Sequence, residues 1–134
     1  MVAVGESFLL ELVNKSNKDL HRIDVAAKML LYNTQPFSLD WLANEACLSG
    51  KQFERKFYEH NGVSPSLFRR IVRFDKAFRM KNSHPTEDWL SIALECGYYD
   101  YQHLVRDYKT FTGLTPPAFF LLDNPEKTFG LHES

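Results

Sequence analysis

Long hydrophobic runs are missing from this chain: no stretch approaches the roughly 18 apolar residues that a membrane-spanning helix requires. Nor does a basic start lead into an apolar core and a small-residue cleavage site, so no secretory signal is read and a cytoplasmic setting is expected. Cysteine is scarce. Cys47 and Cys96 lie far apart without the two-residue spacing of a zinc or redox motif, and both are expected as buried thiols in a reducing compartment. Nothing in the sequence supports a disulfide. The five histidines are scattered without metal-ligand spacing, so neither a metal nor a cofactor is expected. No nucleophile–base–orienter spacing and no phosphate-cradling glycine loop occurs, which argues against an enzyme. No segment alternates well enough for a strand, so the expected fold class is all-α.

What the chain does have is apolar mass. With 44% apolar and 14% aromatic residues it can build a real core, and 134 residues suit one domain or two small subdomains. The net charge of −1 hides an uneven distribution. Residues 1–50 carry 4 basic and 6 acidic side chains, residues 51–81 carry 9 basic and 3 acidic, and residues 82–134 carry 3 basic and 8 acidic. The central block, net +6, is a candidate footprint for a polyanion, although a solvated helix face accounts for such a block equally well by itself.

The chain also nearly repeats itself. Arg55, Gly62, Pro65 and Phe68 recur 51 residues later as Arg106, Gly113, Pro116 and Phe119. Similar residues keep the same frame: Phe53 with Leu104, Phe57 with Tyr108, Val63 with Leu114 and Ser64 with Thr115. Upstream the offset is 50, pairing Leu42-Ala43 with Ile92-Ala93 and Glu45 with Glu95. A period of this size means that one helical device is built twice.

The periodicity predicts about eight or nine helices. Residues 6–14 read as a short amphipathic helix, 15–19 as a polar loop, and 24–32 as a second helix stopped by Gln35-Pro36. Ser38 caps a helix over 39–46, with Trp41 or Leu42 and Ala43 turned inward. Ser49 caps the next, over 49–58 or 59, with Phe53 and Phe57 in the core and Lys51, Glu54, Arg55 and Tyr58 outside; Asn61-Gly62 ends it. Ser64-Pro65 opens a helix to about residue 80, roughly 25 Å long. Its apolar positions are Phe68, Ile71, Val72, Phe74 and Phe78. Residues 87–96 and 100–110 form two more helices, the second capped by Asp100 with Leu104 and Tyr108 inward, and Thr115-Pro116 starts a last short one. Trp41, Trp89 and the phenylalanines are expected in the core.

Each copy is thus a short helix, a tight turn and a second helix. Ala43 and Ala93 let the two helices approach closely, and Gly97 permits a positive φ in the second turn where Cys47 stands in the first. This is the plan of a helix-turn-helix, whose second helix enters the DNA major groove. A helical-repeat module that binds proteins shares the same geometry and stays open on these grounds.

The residues narrow the choice. Leu39, Leu42-Ala43, Ser49, Phe53, Arg55, Phe57, Gly62, Ser64-Pro65, Phe68, Arg73 and Ala77 match one pattern in the first copy. Ile92-Ala93, Glu95, Gly97-Tyr98, Asp100, Leu104, Arg106, Tyr108-Lys109, Gly113, Thr115-Pro116 and Phe119 match it in the second. Over residues 22–122 the chain resembles the DNA-binding domain of AraC/XylS-type transcription regulators. The resemblance implies two helix-turn-helix subdomains, 22–63 and 82–122, joined by a linker helix at 64–81, with 123–134 a C-terminal tail. It implies control of transcription through double-stranded promoter DNA. The family usually carries an effector-binding or dimerisation domain upstream. Residues 1–21 read as the tail of such a domain or a linker, so a piece of a longer regulator is expected, the alternative being a naturally short one.

The resemblance places base-reading positions on Lys51, Gln52, Glu54 and Arg55 in the first copy and on Tyr101, Gln102, His103, Val105 and Arg106 in the second. Arginine suits guanine O6 and N7, glutamine suits adenine, and Glu54 could accept from cytosine N4. The alternatives are that Arg55 and Arg106 brace the fold against a carboxylate, and that Glu54 is a plain surface charge. Phosphate candidates are the helix starts at Ser49 and Asp100, with Arg69, Arg70 and Lys109. Arg73 matches a position that is often structural. Phe120, Asp107 and Tyr58 depart from residues that the family often has basic or small. With its surplus of acid, the second subdomain is expected to bind weakly, to touch the backbone, or to face a protein such as RNA polymerase.

Overall fold

The computed structural model describes the backbone of residues 2–32 and 37–124, and side chains from residue 17 onward. Seven helices occupy these residues: α1 (Val2–Tyr32), α2 (Leu39–Glu45), α3 (Gly50–Asn61), α4 (Pro65–Ser83), α5 (Trp89–Glu95), α6 (Tyr101–Thr112) and α7 (Pro116–Asp123). No strand occurs among the described residues. The chain divides between Arg69 and Arg70 into two compact units, so the boundary falls inside α4.

In the first unit, Ile23, Ala26 and Leu30 of α1 close on Leu42 and Ala43 of α2 and on Phe53 and Phe57 of α3. Ser38 and Ser49 start α2 and α3 as expected: each hydroxyl accepts the backbone N–H three residues on, at 3.0 and 3.2 Å. At α3 the Gln52 side chain returns the bond to the Ser49 N–H, completing a capping box. A cap of this kind is worth about 1 kcal/mol.

The second unit repeats the plan. Ala77 of α4 joins Ile92, Ala93, Cys96, Tyr98, Leu104 and Tyr108. The start of α5 belongs to Asp88, a cap the sequence reading did not single out, and α6 starts on Asp100 as expected. Gly62 and Gly113 close α3 and α6 at the same left-handed φ of 78°. The repeat also reaches further upstream than the helix-turn-helix. Ile23, Ala26 and Met29 of α1 stand 51 residues before Phe74, Ala77 and Met80 of α4, so each unit is a three-helix device. Buried Leu30 corresponds to buried Lys81. The Lys81 ammonium donates to the Glu87 carbonyl at 2.7 Å and lies over the rings of Trp89 and Phe120, at 4.8 and 5.4 Å. Burial lowers its pKa, against the opposing charges of Asp88 and Glu87.

Several expectations are corrected. Residues 15–19 are helical, not a loop: the stretch is polar but holds no glycine or proline, and its last residue, Asp19, is buried against Lys56. α1 is therefore one helix, which is why the described helices number seven. The predicted stop at Gln35-Pro36 lies outside the described residues. Trp41 is 43% exposed, because Leu42 and Ala43 already fill the inner face of the short α2; its ring meets only the edge of the core at Phe37. Ile71 is likewise exposed on α4, where Val72 takes the buried position. Cys47 is exposed and not a core thiol, whereas Cys96 is buried.

The two turns share one backbone solution. Cys47 has φ 58° and Gly97 has φ 89°, and the residue after each donates to the alanine carbonyl five back, Leu48 to Ala43 and Tyr98 to Ala93, at 3.0 Å. The second turn then carries one extra residue, the exposed Tyr99, before its cap, which explains the change of offset from 50 to 51. A Cβ at Gly97 would only touch Arg73 Nε at 3.8 Å, so its cost there is conformational. Gly97→Ala should lower stability by about 1 kcal/mol, whereas Cys47→Gly, relieved of the same strain, should leave it unchanged or raise it. Thermal melts of the two variants check this; equal destabilisation would contradict it. Burial pushes the Cys96 thiol up to about 11, with the charge of Glu95 adding to the effect. Iodoacetamide at neutral pH should therefore alkylate Cys47 in the folded protein and Cys96 only after unfolding, as read by mass spectrometry.

Candidate nucleic-acid interface

Burial sets which face of each second helix is left to water. On α3, Phe53 and Phe57 are withdrawn, and Lys51, Gln52, Glu54 and Arg55 are all exposed. On α6, Leu104 and Tyr108 are withdrawn, and Gln102, His103 and Arg106 are exposed. Val105 is half-buried, and Tyr101 packs its ring partly against the second core. The structure thus brings seven of the nine predicted reading residues onto two exposed helix faces and sets two at their edges.

The arginines are the clearest of these groups. Neither Arg55 nor Arg106 has a salt-bridge partner within 4 Å among the described residues, although the charge of Arg106 is felt at Asp100. Gln52 is less available: its Oε1 accepts the Ser49 N–H at 3.2 Å, and only its amide protons remain for another partner. His103 holds its Nδ1 2.6 Å from Asp100 Oδ1 and its ring against Tyr99.

The two helix starts differ in charge. The cap of α3 is the neutral hydroxyl of Ser49; that of α6 is the carboxylate of Asp100. Hydrogen bonds from the His103 side chain and then its backbone N–H hold the Asp100 carboxyl below the usual carboxylate range, helped by the charges of His103 and Arg106. A negative cap already occupies the anion site of α6, while the start of α3 carries no such charge.

The remaining phosphate candidates are placed as follows. Lys109 is exposed. Arg69 Nη1 donates to the Phe37 carbonyl at 3.1 Å. Arg70 turns toward Asp107, with Nε and Nη2 at 3.0 and 2.9 Å from Oδ1, while the Tyr98 hydroxyl donates to Oδ2 at 2.8 Å. Arg70 also lies over the Phe111 ring at 5.5 Å. The sequence reading missed this Tyr98–Asp107–Arg70 cluster, and with it the Lys56–Asp19 pair and the His60–Asp24 contact at 2.7 Å in the first unit. For two of these pairs the one signal was a charge three residues after an inward residue on the second helix, Lys56 after Phe53 and Asp107 after Leu104.

Comparison with known proteins supports the same plan. A family model described as a helix-turn-helix domain matches residues 42–121. An uncharacterised HTH-type transcriptional regulator of Haemophilus influenzae is 33% identical over 100 residues, which are 73% of this chain and 33% of that protein. The chain thus spans about a third of that relative's length. Among solved structures, the DNA-binding domain of AdpA in complex with a target DNA superposes with a TM-score of 0.67 at 22% identity, over 78% of this chain and 96% of that one. An AraC-type regulator from Chromobacterium violaceum gives 0.60 at 25% identity, over 78% and 91%. With the family match spanning more than half of its residues, and with the doubled three-helix fold just described, the chain belongs to the AraC-type helix-turn-helix family.

Proposed function

We propose that this chain binds double-stranded DNA in a sequence-specific manner, as the DNA-binding part of a transcription regulator, with α3 and α6 as its reading helices. One observation carries the proposal. Two helices present an arginine at the same repeat position, Arg55 and Arg106, exposed and without a carboxylate partner among the described residues. An arginine left uncommitted on a helix face can donate two bonds to a guanine edge. The DNA complex of AdpA supports the reading by likeness of fold.

Within that function the roles divide unequally. Arg55, Lys51 and Glu54 read on α3, where Gln52 is spent on the cap. Arg106, Gln102 and His103 read on α6, with Val105 and Tyr101 at its edge. Phosphate contacts fall to Lys109 and the start of α3 more than to Arg70 or Asp100, whose charges are engaged inside the unit. That the chain spans about a third of the Haemophilus influenzae relative supports a longer regulator; an upstream effector or dimerisation domain, a cytoplasmic setting and contact with RNA polymerase are part of the same proposal. No helix among the described residues is long and apolar enough to cross a membrane. The family is one of transcription regulators, not an enzyme class.

In-vitro selection from random duplexes should return two short motifs. Arg55→Ala should relax the base preference in one of them by about 1–3 kcal/mol, and Arg106→Ala should relax the other by less. Equal losses would contradict the unequal division. Binding should also weaken steeply with salt, by about 0.9 in the log–log slope per phosphate neutralised. A flat salt response with no selected motif would favour a helical protein-interaction module.

A further inference from the structure

Two ion pairs stand at the same place in the two units with their charges exchanged. In the first unit Asp19 of α1 meets Lys56 of α3. In the second, Arg70 of α4 meets Asp107 of α6. Asp19 precedes Arg70 by 51 residues, and Lys56 precedes Asp107 by the same 51, the period that relates Arg55 to Arg106. Both pairs join the first helix of their unit to its reading helix, and both use the residue directly after the reading arginine.

The surroundings confirm that the position is equivalent. Asp19 and Asp107 are among the few buried charged residues, at 8% and 6% exposure. Each anchor is followed by the aromatic that its unit buries most deeply, Phe57 or Tyr108. Third groups differ as the sign differs. Asp107 takes the Tyr98 hydroxyl on its second oxygen, whereas the first unit has Leu48 at the corresponding place in the turn, packed in the core. Asp19 has Arg22 at 3.8 Å beside Lys56.

We infer that Asp19–Lys56 and Arg70–Asp107 are one positioning device used twice, which refines the rotation that the buried rings of Phe57 and Tyr108 impose on each reading helix and so aims Arg55 and Arg106 without touching DNA. In both pairs the carboxylate is buried while Lys56 and Arg70 stay partly exposed, so losing the cation leaves a buried carboxylate unpaired, which is costly. The device rests on the DNA-reading function proposed above.

The test follows discrimination at each selected motif, as the ratio of Kd values for the selected duplex and for one with that motif altered. Asp107→Lys sets like charges against Arg70 and should reduce the ratio roughly tenfold at the motif read by α6, leaving the other motif unchanged. Lys56→Asp should do the mirror image. Transplanting the first unit's set into the second, as Arg70→Asp with Tyr98→Leu and Asp107→Lys, should recover most of the loss. If Asp107→Lys fails to fold, as read by circular dichroism, the near-isosteric Asp107→Asn should show the same motif-selective loss at smaller size. Equal loss at both motifs, no loss at either, or a transplant no better than Asp107→Lys would overturn the positioning role while the DNA reading stands. A wild-type chain that selects no motif would overturn the DNA reading and the device together.

Discussion

Phe57 and Tyr108 are withdrawn from water almost completely, and their burial fixes the rotation of the helices that carry them. Phe57 meets Phe53 at 5.7 Å and Phe68 at 5.4 Å between ring centroids. Tyr108 meets Phe74, Trp89 and Phe119 at 4.8, 5.7 and 6.0 Å. Each ring contributes about 1.5–3 kcal/mol by burial alone, and aromatic pairing adds to it. A residue two places earlier lies about 200° round the helix, so a buried ring at 57 or 108 puts the arginine at 55 or 106 into water. Capping, turn geometry and the polar pairs all refine an orientation that these two rings impose.

The units share this constraint and differ in the polar groups that surround it. In the first, a neutral hydroxyl starts the reading helix and a lysine anchors it; in the second, carboxylates hold both places. Where the frame meets these groups it differs too: the Tyr98 hydroxyl donates to Asp107, and Leu48 stands at the corresponding place in the first unit. Even a core position has diverged: the site of Leu30 in one unit is taken by Lys81 in the other, made acceptable by a carbonyl and two aromatic faces.

Most of this fold was legible because its signals are local. Ser38, Ser49 and Asp100 act within three residues of themselves, and Gly62 and Gly113 within one turn. The left-handed Cys47 was legible through its alignment with Gly97, since a repeat lends one copy's chemistry to the other. What local signals missed needed distance or a negative. The continuity of α1 depends on the lack of a breaker at 15–19, and polarity alone imitates a loop there. Trp41 looks like core until the size of α2 is known, because a two-turn helix has room for only two inward residues. The exposed faces of α3 and α6 followed from periodicity, while the choice of base-reading candidates on them came from the family resemblance. The commitment of Arg69 and Arg70 followed from neither, since it depends on partners 32 and 37 residues away; that of Gln52 was readable as the Ser49–Gln52 capping box and was missed.

Internal pairing changes what the basic block between residues 51 and 81 offers to its surroundings. Of its nine cations, Lys56, Arg70 and Arg79 each lie against a carboxylate, and Lys81 is buried beneath two rings near Glu87 and Asp88. A cation already balanced within the fold is less free to neutralise a phosphate, and so releases fewer of the counterions condensed on a nucleic acid. The block therefore offers fewer uncommitted cations than the sequence counts; of the others, Lys51 and Arg55 on α3 are exposed and Arg69, Arg73 and Lys76 half-buried.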